Sequence, residues 1–235
     1  MKKYLIILMA LVFMVSCKDS YEMPNYFKHH EKGAVKQITL QTFETANGMI
    51  TPCPENFILL WGENGDGTTT YDEKGNILSD KYYNYNYSDN GRLESTISKN
   101  VGIYGQQNLQ DFTYNERNEI QNWGDYTFFY NDNNQISKIV EDVKAQNYYP
   151  ASHREYEYND NGQMISCNIN SGSTIYANEY NEKGELQRQT INLGALNTRE
   201  YNISITERDE KDNWTERHIT TPTNEYIQKR EIIYY

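Results

Sequence analysis

The sequence predicts an all-β fold: a meander of antiparallel β-hairpins that forms a twisted or curled repeat sheet after an N-terminal signal segment. A heptapeptide of turn-forming residues recurs along the chain, and the segments beside it alternate in polarity with the period of two that strands show. The chain also contains 22 tyrosines, a residue that favours half-buried pleated surfaces. No segment has convincing helical periodicity.

The repeated heptapeptide reads aromatic, Asn or Asp, Asp or Glu, any residue, Gly or Asn, any residue, apolar; we number these positions 1 to 7. Asn and Asp close turns through their side chains, and Gly or Asn supplies the left-handed residue of a tight reversal. We therefore expect positions 1 and 7 to meet across two strands. Six clear copies begin at Tyr71, Tyr87, Tyr114, Tyr130, Tyr158 and Tyr180, and two degenerate copies begin at Phe43 and Arg208.

The strands beside the turns alternate in polarity. Four copies carry a second aromatic residue two positions before the first, at Tyr85, Phe112, Phe128 and Tyr156, so both rings should lie on one face. In one outgoing strand we expect Leu93, Ser95 and Ile97 on the same side. Tyrosine rings should pack while their hydroxyls stay in water. With an extra reversal in most gaps, the repeats imply some twelve to seventeen strands.

The regions outside the repeats complete the predicted sheet. A first strand is predicted over Val35 to Glu44, and a buried strand over Phe57 to Trp61, which is a continuous apolar run. Two prolines exclude the segment 51–54 from a central strand. A final strand is predicted from Arg230 to Tyr235.

The N-terminus has the pattern of an export signal. Lys2 and Lys3 precede an apolar run from Tyr4 to Val15, which is too short to cross a bilayer core of roughly 30 Å. The alternatives for this run are an ordinary secretory signal cut nearby, with Cys17 incidental, and a buried apolar helix. The segment 13–17 ends in Cys17 and resembles the lipobox of bacterial lipoproteins. That resemblance implies cleavage before Cys17 and a lipid on its thiol. The acyl chains of such a lipid anchor a protein durably to a membrane.

This resemblance divides the chain into three parts. Residues 1–16 are the predicted signal peptide, 17–32 a flexible tether and 33–235 the β domain. The residues after Cys17, Lys18-Asp19-Ser20, partly resemble the surface-export signal of Bacteroidota lipoproteins. We therefore expect a lipid-anchored protein of the outer membrane, at the cell surface rather than on the periplasmic face.

The heptapeptides resemble the tyrosine–aspartate (YD) repeats of rearrangement-hotspot proteins, teneurins and many small Bacteroidota lipoproteins. The likeness covers roughly residues 33–235. It departs from the pattern in its irregular spacing and where position 5 is not glycine, at Asn47, Asn118, Asn134 and Asp212. The resemblance implies a short, curled antiparallel sheet, since the chain is too short for the large shell of long YD proteins.

Composition and motifs exclude several functions. Loss of two lysines with residues 1–16 changes the net charge from −11 to −13, which repels phosphate backbones and argues against nucleic-acid binding. Turn chemistry explains the Asp/Asn/Gly loops without calcium, so we predict no metal and no cofactor. No pattern for nucleophilic catalysis is present, and we predict no catalytic residue and no enzyme. Cys53 and Cys167 are either a disulfide or two separate buried side chains.

The candidate ligand-binding residues are the clustered aromatic side chains Tyr82, Tyr83, Tyr85 and Tyr87. Alternate tyrosines on a sheet can stack on sugar rings, although the favoured interpretation of these residues is that they pack the sheet against itself. We expect a surface-exposed binding or interaction module for a glycan or a protein. The alternatives are a structural envelope protein with a lipid-accommodating amphipathic sheet and, less favoured, a glycan hydrolase.

Overall fold

The computed structural model describes residues 31–53, 60, 66–99, 109–132, 134–143, 152–170, 172–194 and 197–235. This part of the chain is all-β, as predicted, and no helix in it is long and apolar enough to cross a membrane. Its strands are β1 (Val35–Ala46), β2 (Met49–Pro52), β3 (Gly67–Tyr71), β4 (Ile77–Ser79), β5 (Tyr83–Tyr87), β6 (Leu93–Ser98), β7 (Leu109–Tyr114), β8 (Ile120–Trp123), β9 (Tyr126–Tyr130), β10 (Ile136–Val143), β11 (Ser152–Tyr158), β12 (Met164–Ile169), β13 (Thr174–Tyr180), β14 (Leu186–Asn192), β15 (Thr198–Arg208), β16 (Trp214–Thr220) and β17 (Glu225–Tyr234).

The strands form one antiparallel meander that closes on itself. Each strand from β3 to β17 pairs with the next, β17 pairs with β1, and β1 pairs with β3. Sixteen strands therefore make a closed ring. The remaining strand, β2, pairs with β1 beyond the end of β3. The predicted meander of hairpins is confirmed, and the curled sheet closes into a ring.

The closed sheet has two chemically different rims. Because neighbouring strands run in opposite directions, the seven motif turns from Asp72–Asn76 to Asp209–Asn213 all lie at one end, which we call the turn rim. The strand ends that lead from one motif hairpin to the next, and the β1–β2 and β16–β17 turns, lie at the other end, which we call the opposite rim. The repeat thus places equivalent turns side by side.

Each motif turn is held by the side chain at position 2. In the third clear copy, Asn115 Oδ1 accepts the backbone N–H groups of Arg117 and Glu119, both at 3.0 Å. Position 5, Asn118, has a φ of 63° and donates its N–H to the Asn115 carbonyl at 3.0 Å. The predicted roles of Asn or Asp at position 2 and of a left-handed residue at position 5 are confirmed.

Positions 1 and 7 pair across each hairpin, as expected. Tyr87 is opposite Leu93, and the pairing then shifts, so that Tyr85 is opposite Thr96. This shift is a β-bulge, and it recurs in every motif hairpin. The extra residue changes which side chains share a face. The expected grouping of Leu93 with Ser95 and Ile97 is therefore wrong.

The two degenerate copies behave differently. Arg208 pairs with Trp214, and Asp212 has a φ of 65°, so this copy forms a motif turn. At the Phe43 copy the chain reverses through Asn47 and Gly48, with φ angles of 51° and 76°, in a two-residue hairpin loop. That segment is not a motif turn, because the shorter Asn-Gly turn replaces it.

The motif tyrosines join neighbouring hairpins. Their rings pack on the core, and their hydroxyls donate to the position 7 carbonyl of the preceding copy. The recorded bonds are Tyr87 to Ile77, Tyr114 to Leu93 (2.5 Å), Tyr130 to Ile120 (2.9 Å) and Tyr180 to Met164 (2.9 Å). The expectation that these hydroxyls remain in water is wrong, since each satisfies a backbone carbonyl of the preceding hairpin.

The predicted flanking segments have mixed outcomes. The first and last strands are confirmed as β1 and β17, and the proline-containing segment stays out of the ring. Of the predicted strand over 57–61 only Leu60 is described; it lies in a bend, is buried and packs against Leu186 and Ile219. Cys53 and Cys167 are not bonded to each other. Residues 1–30, including Cys17, lie outside the described residues.

Candidate functional site

The tyrosine cluster predicted to bind a ligand is divided by the structure. Tyr83, Tyr85 and Tyr87 point to the inside of the closed sheet and pack against its core, whereas Tyr82 is 38% exposed. Tyr83 meets Trp123 edge to face at 5.2 Å between ring centroids. The alternative reading, in which these rings pack the sheet, fits three of the four. Their role toward a ligand stays a prediction.

Tyr82 is held in place by the β4–β5 turn. Asp80 Oδ1 accepts the backbone N–H groups of Tyr82 at 2.6 Å and Tyr83 at 2.7 Å, and Asp80 Oδ2 accepts the Tyr85 hydroxyl at 2.8 Å. The Lys81 ammonium lies 5.0 Å from the centre of the Tyr82 ring. The turn thus presents one aromatic ring and one cation at the opposite rim.

Further apolar side chains are exposed at the same rim. We call these, together with Tyr82, the apolar rim group: Met49 (68% exposed), Ile50 (58%), Tyr82 (38%), Leu109 (60%), Ile175 (38%) and Leu193 (39%). They lie at three places around the ring: the β1–β2 hairpin, the start of β5 to β7, and β13–β14. Of this group, the sequence predicted only Tyr82 as a candidate. The other five residues come from distant parts of the chain, and only the closed ring places them at the same rim.

The turn rim is hydrophilic and acidic. Its seven turns, positions 2 to 6 of each copy, carry twelve acidic and five basic side chains, a net charge of −7. Neighbouring turns are tied together: Arg208 contacts Glu185 with both guanidinium nitrogens, at 2.6 and 3.0 Å, and Asn131 donates to Asp160 at 3.1 Å. The Arg208 guanidinium lowers the pKa of the Glu185 carboxyl. No large apolar side chain of the seven turns themselves is exposed in the described residues; the exposed Leu78, Phe129, Ile165, Ile233 and Tyr235 lie on the strands beside this rim.

The described chain begins at the turn rim. The Lys32 backbone N–H donates to the Asn213 side chain at 2.8 Å, and the Lys32 ammonium pairs with Asp212 at 2.7 Å. Glu31 pairs with Arg230 at 2.6 Å, with both side chains largely buried. The end of the predicted tether is therefore fixed beside the last motif turn.

A chain of buried polar side chains crosses from β16 to the start of β3 inside the sheet. Arg217 donates to Gln228, Gln228 donates to the Thr42 hydroxyl at 3.0 Å, and Thr42 donates to Asp66 from its hydroxyl and its backbone N–H, at 2.5 and 2.8 Å. All four residues are at most 7% exposed. Thr42 lies where the neighbour of β1 changes from β3 to β2, so the Asp66 carboxylate satisfies an amide that the ladder leaves unpaired.

The outer wall of the described strands carries cross-strand polar pairs. Lys138 contacts Glu155 at 2.6 Å, Lys229 contacts Glu216 at 2.7 Å, and Thr39 contacts Thr68 at 3.1 Å. These strands therefore lack the continuous apolar outer face that a lipid-accommodating amphipathic sheet requires. In the same part of the chain, no three His, Cys, Asp or Glu side chains are grouped to hold a metal ion.

Comparison with known proteins gives little. No family model matches the chain, and no curated protein matches it. It is similar to a solved structure described as "Crystal Structure of TcdB2-TccC3-Cdc42", with 14% sequence identity and a TM-score of 0.34. The match covers 80% of this chain and 11% of that chain, so this chain spans about a tenth of its neighbour's length. The likeness of the heptapeptides to YD repeats rests on their residues.

Proposed function

We propose that the chain is a lipid-anchored bacterial cell-envelope protein, displayed at the surface of the outer membrane, whose closed YD-like sheet is a binding module. The observation that carries the binding role is the contrast between the rims. The turn rim is acidic, its neighbouring turns are joined by an ion pair and a hydrogen bond, and it contacts the end of the predicted tether. The opposite rim exposes the apolar rim group. The three most exposed large apolar side chains of the described residues, Met49, Leu109 and Ile50, all lie at the opposite rim, which makes it the candidate interaction surface.

The contact surface in this proposal is the opposite rim. Met49, Ile50 and Leu109 are more than half exposed, although moving such apolar side chains out of water lowers the free energy. Tyr82 adds an amphipathic ring of the kind enriched at interfaces. The sheet holds these side chains at the rim, because fifteen of the sixteen ring strands, β3 to β17, pair in chain order and β2 is paired with β1.

The alternatives draw less support. The polar pairs of the outer wall do not favour a lipid-accommodating amphipathic sheet. Glycan hydrolysis needs two carboxyl groups free to act on a bond. At the turns, position 2 carboxylates are occupied: Asp72 accepts the backbone N–H groups of Lys74 and Asn76 at 2.9 and 2.8 Å. We assign no catalytic residue.

The anchor is tested with the full-length chain expressed in a bacterial host. Wild type should incorporate labelled fatty acid and sediment with outer membranes, and it should be cleaved by protease added to intact cells. Cys17→Ala should lose the label and leave the membrane fraction. Membrane attachment and labelling that persist in Cys17→Ala would contradict a lipid on that residue.

The binding surface is tested with a panel of glycans, envelope proteins and lipid vesicles. The double variant Tyr82→Ala/Leu109→Ala should lose at least about tenfold in affinity for whatever wild type binds, because it removes two exposed anchors. Phe129→Ala is the matched control, since Phe129 is 46% exposed but lies on the outer wall. Equal binding by both variants would exclude the opposite rim as the contact surface.

A further inference from the structure

The apolar rim group is spread around a ring and does not form one groove. Between Leu109 on β7 and Ile175 on β13 lie five strands, and three more separate Leu193 from β1. Sixteen strands at about 4.8 Å spacing give a ring at least roughly 25 Å across. A compact ligand, such as one side chain or one sugar ring, would contact only one of the three places. A flat surface reaches all three together.

From this arrangement we infer that the opposite rim rests on a phospholipid bilayer, with the apolar rim group in the boundary between headgroups and acyl chains. The inference rests on the proposed binding role of this rim and names its partner. The Met, Ile and Leu side chains of the apolar rim group supply the apolar contact, as apolar side chains do in interfacial amphipathic segments. Tyr82 with Lys81 beside its ring supplies an aromatic side chain and a cation of the kind that locate at headgroup level.

The charge distribution orients the domain on such a surface. The turn rim, with its net charge of −7, is at the end away from the bilayer in this arrangement. An anionic leaflet repels that rim and also the mature chain, whose net charge is −13. The domain should therefore prefer zwitterionic lipid, unlike interfacial proteins that bind through basic patches.

The predicted lipid anchor is compatible with this orientation. The described chain begins at Glu31, fourteen residues after Cys17, and a tether of that length reaches at most about 50 Å. The longest strand, β1, has twelve residues and spans about 40 Å. A tether that leaves the turn rim can therefore run beside the wall to the bilayer on which the opposite rim rests.

The test uses the mature chain with Cys17→Ser, so that no acyl chain contributes, in flotation with phosphatidylcholine vesicles. The chain should float with the vesicles, and replacing a third of the lipid with phosphatidylglycerol should lower the bound fraction. The triple variant Ile50→Glu/Leu109→Glu/Leu193→Glu should bind at least about tenfold more weakly, since it puts charge into the apolar boundary.

The matched control replaces three apolar side chains of similar exposure on the outer wall. Leu78, Phe129 and Ile165 are 39%, 46% and 38% exposed and lie next to motif positions 1 or 7, near the turn rim. Leu78→Glu/Phe129→Glu/Ile165→Glu should float like the unsubstituted chain. Near-ultraviolet circular dichroism checks that both triple variants are folded, and Ile50→Glu alone, with a smaller loss, replaces the rim variant if it is not.

Three results would overturn the inference: no flotation, equal flotation of the two triple variants, or binding that rises with phosphatidylglycerol. If vesicles do not bind but a protein or glycan does, and Tyr82→Ala/Leu109→Ala weakens that binding, the bilayer is excluded and the proposed binding module stands. If Tyr82→Ala/Leu109→Ala binds as wild type does in every assay, the proposed function fails with it.

Discussion

The motif tyrosines should stabilise the fold through their hydroxyls, and Tyr130→Phe isolates that contribution. The Tyr130 hydroxyl donates to the Ile120 carbonyl of the preceding hairpin at 2.9 Å, from a partly buried ring that packs against the core. The substitution keeps the ring and removes the donor. A net hydrogen bond contributes about 0.5–1.5 kcal/mol, and a carbonyl left unsatisfied costs about 1–3 kcal/mol. We expect the free energy of unfolding to fall by about 1–2 kcal/mol.

The loss should recur at equivalent positions and add. Tyr180 makes the same bond to the Met164 carbonyl, also at 2.9 Å, on a hairpin four strands away. Because the two sites share no partner, Tyr130→Phe/Tyr180→Phe should lose about 2–4 kcal/mol. Urea unfolding of the mature Cys17→Ser chain, followed by circular dichroism and fluorescence, measures each variant against wild type, provided that both probes give one transition.

Tyr82→Phe is the control, because the Tyr82 ring is exposed at the opposite rim. It should change the free energy of unfolding by no more than a surface substitution does, within about 0.5 kcal/mol. A Tyr130→Phe chain as stable as the Tyr82→Phe chain would refute the idea that tyrosine is needed at position 1 to join hairpins. Phenylalanine would then serve equally there.

Three further predictions concern turns, the buried chain and pH. Asn118→Ala should cost about 1–2 kcal/mol in urea unfolding, because φ is 63° there, whereas Asn118→Gly should stay within about 0.5 kcal/mol of wild type. Asp66→Ala should cost about 2–3 kcal/mol, since it leaves the buried Thr42 N–H and hydroxyl without their acceptor; an unchanged midpoint would contradict this. Burial raises the pKa of Tyr87 and Tyr130 above the usual value of about 10, so their contribution to stability is complete below about pH 10 and is lost as pH rises beyond it. A thermal unfolding midpoint that stays constant up to about pH 11.5 would contradict this predicted loss of stability.

The turns could be predicted because their chemistry is local. Position 2 and position 5 act within five residues of each other, so Asn115 and Asn118 indicate their roles in the sequence. The bulge after position 7 could not be predicted, since any residue can be the extra one, and this reversed the grouping around Leu93. The Phe43 segment was misread because Asn47-Gly48 satisfies the heptapeptide and a shorter turn alike.

The candidate site was predicted less well than the turns. Tyr82 was found, but a period of two cannot tell the inside of a closed sheet from its outside, so Tyr83, Tyr85 and Tyr87 looked equally available. The hydroxyl acceptors lie one hairpin away, as with the 21 residues between Tyr114 and Leu93. Asp66 pairs with Thr42 only because β2 and β3 share one side of β1, which no local pattern encodes.

The seam between β1 and β17 has a consequence for how the protein is made. Its paired residues are 180 to 199 positions apart in the chain, from Thr45 with Glu225 to Val35 with Tyr234. Bringing together ends this distant costs about 4–5 kcal/mol of chain entropy, and non-local pairing of this kind slows folding. If the chain is exported as proposed, β1 can pair with β17 only after the last strand has crossed the membrane. A chain truncated before β17 would expose two strand edges to other chains, so we expect such fragments to aggregate and not to persist as a smaller ring.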